Sequence, residues 1–479
     1  MRALILIHRY LGIAVGPLML VWCLSGIVML YVPYPHVNER TRVHALSRID
    51  WAQVSPVSWE SAEADSGLSA FQLEEVAGQL VLRLWPPGGD FKAIDASSGA
   101  ILFLRAEQAV DVAVRYASAR GHLVGQPAVE LISYDQWTVG GAVADRPLYR
   151  VALGDSAGTE VYVSSRSGAV VQATTGTQRF WGWVGAVPHW LYPSILRSRP
   201  AVWSKVVIST ALLGAFLTLC GIIIGVTACM RGASMGRSSP YRGVMLCHHL
   251  SGLLFGGLAL TWALSGLFSM NPLGLMAGTD VAQTGRQVAG GAISKDDMRT
   301  LLMSLATHAP AGVQALSSAP LNADLFAVAA YADGSRVRYD TQGTITPLAH
   351  ADVSAAARRL AGPGSTADLL TGEDDFYYSV DDEPAALPVI RVRSTADNYY
   401  YLDPVSAGLV SRAEPGDRAY RWWHLALHRW DSSRLLRSAF GRTAIVLPML
   451  LGTTVLCSIG CFLAWRHLMK PSRAGEYQA

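Results

Sequence analysis

Charge is scarce in this chain: only 16% of its 479 residues are Asp, Glu, Lys or Arg, and they sum to a net +3. Nothing in that balance points to a nucleic-acid partner. The 51% hydrophobic content is high for a soluble protein, yet long polar stretches rule out a pure membrane bundle, so a mixed architecture is expected. Cysteine is scarce too. All six, Cys23, Cys220, Cys229, Cys247, Cys457 and Cys461, fall in or at the ends of apolar runs. The polar stretches therefore carry no disulfide framework. Cys457 and Cys461, one turn apart, read as small buried hydrophobes, and no spacing offers a four-cysteine cluster. No flavin or nicotinamide fingerprint occurs.

What is present is a set of four apolar windows, 5–32, 206–230, 244–270 and 443–467. Each can cross a bilayer, which takes about 20 residues. None contains Asp or Glu; the third is interrupted only by His248 and His249, and the fourth is uncharged up to Trp465. Their short flanks carry Arg2 and Arg9, then Arg231, Arg237 and Arg242, then Arg466, Lys470 and Arg473. By the positive-inside rule those flanks and both termini are cytoplasmic. The polar stretches 36–200 and 272–440 then face the other side, the periplasm if the host is Gram-negative, which makes the chain a multi-pass protein of the inner membrane. The first window has the look of a signal peptide. It is read as a span because the third window is its internal copy.

The copying runs along the chain. His8–Gly26 reads HRYLGIAVGPLMLVWCLSG and His248–Gly266 reads HHLSGLLFGGLALTWALSG, at an offset of 240 (248 − 8). In the polar stretches, Glu160–Val171 and Tyr399–Val410 both alternate, turn at a glycine and alternate again, a hairpin signature. Further hairpins are readable at Gln79–Leu104 and Asp324–Leu348, with helical stretches at Glu107–Arg120 and Ala349–Ala361. The expected fold is a membrane protein made of two parallel repeats, each a span, an exported α+β domain, an aromatic lead-in and a second span. A four-helix transmembrane bundle results, a common home for cofactors.

Ionisable groups inside a membrane are costly and usually functional. His8, Gly12 and Gly16 step by four, as do His248, Gly252 and Gly256, which puts each trio on one helix face. A flat macrocycle ligated by the histidine would lie against those glycines. Small-residue helix packing explains the glycines but not the histidines. At the other end, Tyr420–Trp430 reads YRWWHLALHRW, with His424 and His428 four apart. Its counterpart Phe180–Trp190, FWGWVGAVPHW, offers His189 beside Pro188. An interfacial aromatic belt is the competing reading of these lead-ins. His249 and His467 are alternates for His248. His36, His44, His122, His308 and His350 read as solvated surface residues. Zinc usually recruits clustered histidines and carboxylates, so a redox macrocycle clamped axially by neutral imidazoles fits better. No C-x-x-C-H occurs, which excludes covalent c-type attachment and leaves non-covalent b-type haem. Trp22 and Trp262, 14 residues or about 21 Å beyond their histidines, either pack a haem edge or anchor the interface.

His8-Arg9-Tyr10-Leu11-Gly12, Leu24-Ser25-Gly26, His248-His249-Leu250-Ser251-Gly252, Leu264-Ser265-Gly266 and Trp423-His424…His428-Arg429-Trp430 resemble the PepSY-associated transmembrane family over essentially the whole chain. The strand–turn–strand of Tyr149-Arg150-Val151, Val161-Tyr162-Val163 and Ser167-Gly168 looks like the ending of a PepSY domain. Within that family the likeness is to inner-membrane di-haem ferric-siderophore reductases of the ferrioxamine type. The resemblance implies four spans, two b-type haems and one-electron reduction of siderophore-bound Fe(III) on the periplasmic side. One haem is then expected on His8 and His248 and the other on His189 and His428, with His424 also an alternate. Arg197, Arg429, Arg434 and Arg437 are candidate propionate partners, or interfacial anchors. No catalytic side chain beyond the haems is expected. Electrons would come from a separate cytoplasmic reductase or a quinol. Two rival readings remain at this point: a siderophore permease, and a non-catalytic PepSY binding or regulatory protein.

Overall fold

The computed structural model describes every residue except 56–66, 235, 238, 277, 279, 381, 382 and 470–479. Lys470 and Arg473, read above as part of the last basic flank, lie outside the described residues. The helices used below are α1 Arg2–Met29, α2 Ala106–Ala119, α3 Pro200–Ser234, α4 Val244–Ser269, α5 Lys295–His308, α6 His350–Ala361 and α7 Ala439–Leu468. The chain divides into two compact units.

The first unit comprises Met1–Tyr34, Phe180–Ala277 and Gly416–Ala479. Among the described residues, four helices are long and apolar enough to cross a membrane: α1, α3, α4 and α7. They coincide with the four windows; α3 and α7 overrun theirs at both ends, whereas α1 stops at Met29 and α4 at Ser269. α3 begins at Pro200, six residues before the apolar window that starts at Val206, because proline at the first helical position gives up an N–H that has no partner there anyway. α7 begins at Ala439, where the Ser438 hydroxyl accepts the Gly441 N–H at 3.0 Å. Its second turn, Arg442–Val446, is π-helical. Each helix packs against two neighbours, in the ring order α1, α3, α4, α7 and back to α1. Small residues at the contacts, Ala215, Gly214, Ala259 and Ala263 among them, let the backbones approach. Val15, Met19, Ala215, Leu217 and Ala263 form the bundle's core.

The second unit comprises Pro35–Arg179 and Gly278–Pro415 and is α+β. A four-stranded sheet runs β4 Ala128–Ile132, β5 Leu148–Ala152, β6 Glu160–Ser164, β7 Val170–Thr174, and α2 packs on it through Ala109, Ala113, Tyr116 and Ala117. A second four-stranded sheet runs β11 Thr366–Leu370, β12 Val389–Arg393, β13 Tyr399–Leu402, β14 Leu409–Ala413, with α6 packed through Ala356, Ala357 and Leu360. The hairpins and the two helices read from the sequence are all here. The two polar stretches, read as separate domains, instead share a sheet. β1 Ala70–Val76, β2 Gln79–Trp85 and β3 Lys92–Asp95 join β8 Val313–Ser318, β9 Ala327–Tyr331 and β10 Arg336–Tyr339 in the order β10-β9-β8-β1-β2-β3. The seam is the antiparallel pairing of β1 with β8, Leu73 opposite Leu316. α5 covers this sheet with Met298, Leu301, Leu302 and Leu305, a spacing that lines one helix face.

A buried ion cluster supports the seam. Glu74 on β1 is 0% exposed and takes hydrogen bonds from Arg42 at 2.7 and 2.9 Å and from Arg83 at 2.6 Å. Arg83 also donates to the Ser167 carbonyl at 2.8 and 3.0 Å, tying β2 to the β6–β7 turn. Burial alone would raise the Glu74 pKa; the two guanidiniums overturn that and hold it at about 2.

Candidate functional site

The ring order puts α1 and α4 on opposite corners of the bundle, and each sends one histidine inward. The His8 and His248 ring centroids lie 6.3 Å apart at an interplanar angle of 38°. At the other end of the same helices a second pair meets. His189 comes from the short helix Ala186–His189 and His428 from the turn Leu427–Arg429; their centroids are 5.8 Å apart at 63°. His189 touches Gly26 and His428 touches Gly266. Along α1, His8 to Gly26 is 18 residues, so the pairs are separated by about 27 Å of helix.

Three of the four rings are held by their Nδ1 atoms. His8 Nδ1 lies 3.1 Å from the Leu217 carbonyl. His189 Nδ1 lies 3.2 Å from the Trp22 carbonyl and 3.1 Å from the Ser25 hydroxyl. His428 Nδ1 lies 3.1 Å from the Ser265 hydroxyl. A carbonyl only accepts, so the Nδ1 of His8 and of His189 carries the hydrogen, and in the neutral ring Nε2 then keeps a bare lone pair. Burial pushes the His189 imidazole down to about 4 and His428 well below the usual histidine value, which keeps both neutral. Metal-ligating histidines are oriented in this way, with the second nitrogen tied off.

Glycines shape the four ring pockets. A Cβ on Gly221 of α3 would fall 2.7 Å from His8 Cε1, and one on Gly460 of α7 would fall 3.3 Å from His248 Cε1. On Gly26 and Gly266 it would fall 3.4 and 3.3 Å from the Cε1 of His189 and His428. Nothing in the sequence marks Gly221 or Gly460, and Gly26 and Gly266 stand there only as motif positions at the 240-residue offset. Gly12, Gly16 and Gly252, expected to face a macrocycle, touch no histidine: a Cβ there would meet only Leu217 at 4.0 Å, Cys461 at 3.8 Å and Leu456 at 3.8 Å. Gly256 packs on Ile222, 3.2 Å from a notional Cβ.

The alternates separate cleanly. His249 has both nitrogens engaged, Nδ1 with the Ser239 hydroxyl and Nε2 with the Gly225 carbonyl, each at 2.8 Å. It has no free lone pair for a metal. His467 is exposed in the last turn of α7. His424 lies beside the second pair, 5.3 Å from His428 between centroids, with Nδ1 on the Ser265 carbonyl at 2.8 Å. It sits in a π-helical turn, Arg421–Ala426, a feature that recurs at functional sites. A buried pair, Arg421 and Asp431 at 2.5 Å, closes the loop that carries both His424 and His428. Arg437 donates to the Asp431 carbonyl at 3.3 Å, and Arg429 and Arg434 sit in the same lead-in as His428. Arg197 stacks on Tyr192 and Trp203. Trp262 donates to the His428 carbonyl at 3.0 Å.

Two tests ask whether these residues fit a haem. Two imidazoles bound on opposite sides of one metal ion, each with a bond of about 2 Å, put their ring centres about 6 Å apart, as both pairs have them. Buried polar atoms without a protein partner give the second test. In this unit, among the described residues, they are Trp22 Nε1, Arg197 Nε, His248 Nδ1 and Trp430 Nε1. Trp22 gives its carbonyl to the His189 ring and Trp430 lies two residues from His428, so both indoles belong to the second pair's surroundings. Buried donors are rarely orphaned, and a polar cofactor edge there would satisfy both. The donor set is thus two imidazoles per site, and among the described residues no group of three or more His, Cys, Asp or Glu gathers as a metal cluster.

Compared with protein-family models and with curated proteins, the chain matches none.

Proposed function

We propose that this chain is a di-haem membrane reductase of the PepSY-associated kind, which carries electrons across the inner membrane and reduces siderophore-bound Fe(III) to Fe(II) in the periplasm. The observation that carries the reading is the two facing histidine pairs, one at each end of the bundle, each spaced for one axially ligated ion. A b-type haem in each pair supplies a reversible one-electron couple. With both axial positions taken by imidazole, that couple suits electron transfer rather than oxygen binding. The chain's own residues orient the rings, hold them neutral and exclude water. His8 and His248 lie by the basic flanks, so they form the cytoplasmic pair, and His189 and His428 form the periplasmic one. The substrate follows from coordination chemistry. Siderophores hold Fe(III) through hard oxygen donors, and Fe(II) binds such donors far more weakly. One electron therefore releases the iron and spares the chelator.

The repeat draws support from the second unit. Its two four-stranded sheets have the same strand order. Asp135 accepts the Tyr162 hydroxyl at 2.6 Å and Asp374 accepts that of Tyr401 at 2.8 Å, each 239 residues after its counterpart (374 − 135; 401 − 162). The experiment is a visible spectrum of detergent-purified protein, followed by reoxidation. About two low-spin b-type haems are expected, oxidised by a ferric siderophore with Fe(II) caught by a ferrous chelator, and untouched by the gallium-loaded form. A colourless preparation from haem-replete cells would end the reading. Haem that no ferric chelate reoxidises under anaerobic conditions would favour a regulatory role.

A further inference from the structure

The repeated Leu-Ser-Gly triplets end in the glycines that touch His189 and His428, but their serines have no part in ligation. Ser25 and Ser265 are 2% and 0% exposed. Each hydroxyl proton is committed to the helix: Ser25 Oγ donates to the Val21 carbonyl at 2.7 Å, and Ser265 Oγ to the Trp262 carbonyl at 3.2 Å. Such back-bonds are ordinary for serine in a helix. Ser251 and Ser458 make them too, to Cys247 and Thr454, and touch no imidazole. What sets Ser25 and Ser265 apart is the lone pair left over, which faces a histidine Nδ1 at 3.1 Å in both copies. With its own proton given away, the hydroxyl can only accept. Nδ1 must then carry hydrogen, and Nε2 is left bare.

We infer that Ser25 and Ser265 are positioning residues for the His189–His428 pair: they fix its tautomer and bias the iron it holds toward the ferric state. The inference rests on the haem reading above. A hydrogen bond from Nδ1–H makes the imidazole a more basic ligand, which favours Fe(III) and lowers the potential. The His8–His248 pair has less of this support, since His8 Nδ1 has one carbonyl partner and His248 Nδ1 has none. The two sites are therefore unequal. The more reducing influence lies on the pair proposed to face the substrate, whose oxygen donors make Fe(III) hard to reduce.

The test uses Ser25→Ala and Ser265→Ala in the full chain, with two readouts. In a potentiometric titration followed by the visible spectrum, haem content should hold and one midpoint should move positive. The other midpoint should stay. Ser25→Ala and Ser265→Ala should each move it, since each leaves its ring only a backbone carbonyl, Trp22 at 3.2 Å for His189 and Trp262 for His428. A tenfold loss of ferric preference would read as about 59 mV for a one-electron couple. The second readout needs no haem. Nitrogen-15 NMR of histidine-labelled, haem-free protein should show Nδ1 protonated and Nε2 bare at His189 and His428, and Ser265→Ala should weaken that preference at His428. Haem retained with neither midpoint moved overturns the inference, as does a His428 protonated at Nε2 in the wild type. A protein that binds no haem refutes the proposed function, and the NMR arm alone then decides the serines.

Discussion

Replacing Gly221 by alanine tests the ring pockets most sharply. The new methyl would sit 2.7 Å from His8 Cε1, 3.3 Å from Nδ1 and 3.6 Å from Nε2, closer than carbon atoms pack. Something must move. The helix backbone of α3 is held by its neighbours, so the imidazole is the part that swings, and its 3.1 Å bond to the Leu217 carbonyl goes with it. Overpacking a filled core costs about 1–3 kcal/mol, or roughly a five- to 150-fold weaker site at 1.4 kcal/mol per decade. If His8 and His248 hold one haem, Gly221→Ala should lower occupancy of that haem and leave the other. Gly257→Ala is the control, because a Cβ there meets nothing within 4 Å. The assay is haem per protein by pyridine haemochrome, with a competition against a haem-binding apoprotein to expose weakened affinity. Full occupancy and unchanged affinity in Gly221→Ala would refute the argument that His8 works from this pocket.

Other outcomes follow from the same geometry. His8→Ala or His248→Ala should remove one haem and His428→Ala the other, counted from the spectrum of purified protein. His249→Ala should keep both haems while lowering the melting temperature, since it strands the buried Gly225 carbonyl and Ser239 hydroxyl at about 1–3 kcal/mol. Glu74 gives a pH dependence. Its folded pKa of about 2 lies below the ordinary glutamate value of 4.5, so its contribution is complete above about 4.5 and is lost as pH falls toward 2, on the order of 3 kcal/mol. Amide exchange at β1 and β8 should accelerate across that window, and Glu74→Gln, which takes from the buried Arg83 its carboxylate partner and leaves Arg42 only Glu39, should show fast exchange at neutral pH.

The four long helices were legible because apolar runs of spanning length are unambiguous, and the pairing of His8 with His248 was legible because the repeat displays it. Gly221 and Gly460 were not. They lie on α3 and α7, on helices that carry no paired histidine, and only packing brings them to a ring. The shared sheet was hidden for a related reason. β1 and β8 are about 240 residues apart, and alternation within a strand says nothing about which strand lies beside it. α5 was legible and went unread: Ser294 caps it, accepting the Asp297 N–H at 3.0 Å, and Met298, Leu301, Leu302 and Leu305 have helical spacing. The status of His249 needed the structure outright, because adjacent histidines on a helix point some 100° apart and the sequence does not say which one faces the interior.

The layer between the two pairs bears on whether electrons or solutes cross. Val15 and Met19 on α1 fall between His8 and Gly26, and Ala263 on α4 falls between His248 and Gly266; with Ala215 and Leu217 of α3 they are all at most 8% exposed, and Trp22, Leu260 and Cys457 pack on them. Cys23 and Cys457 meet in the same layer, Sγ to Sγ at 4.0 Å. Such a plug offers no polar partner to an ion, and a buried charge without one is costly. A siderophore complex would have to part the helices and strip out this core. An electron needs neither, since packed atoms are its medium. Proteoliposomes separate the two cases. With a reductant sealed inside and ferric siderophore outside, Fe(II) should appear outside while the chelator stays there. Gallium-loaded siderophore should not enter. Its accumulation in the lumen, dependent on this protein, would favour a permease and overturn the electron-transfer reading.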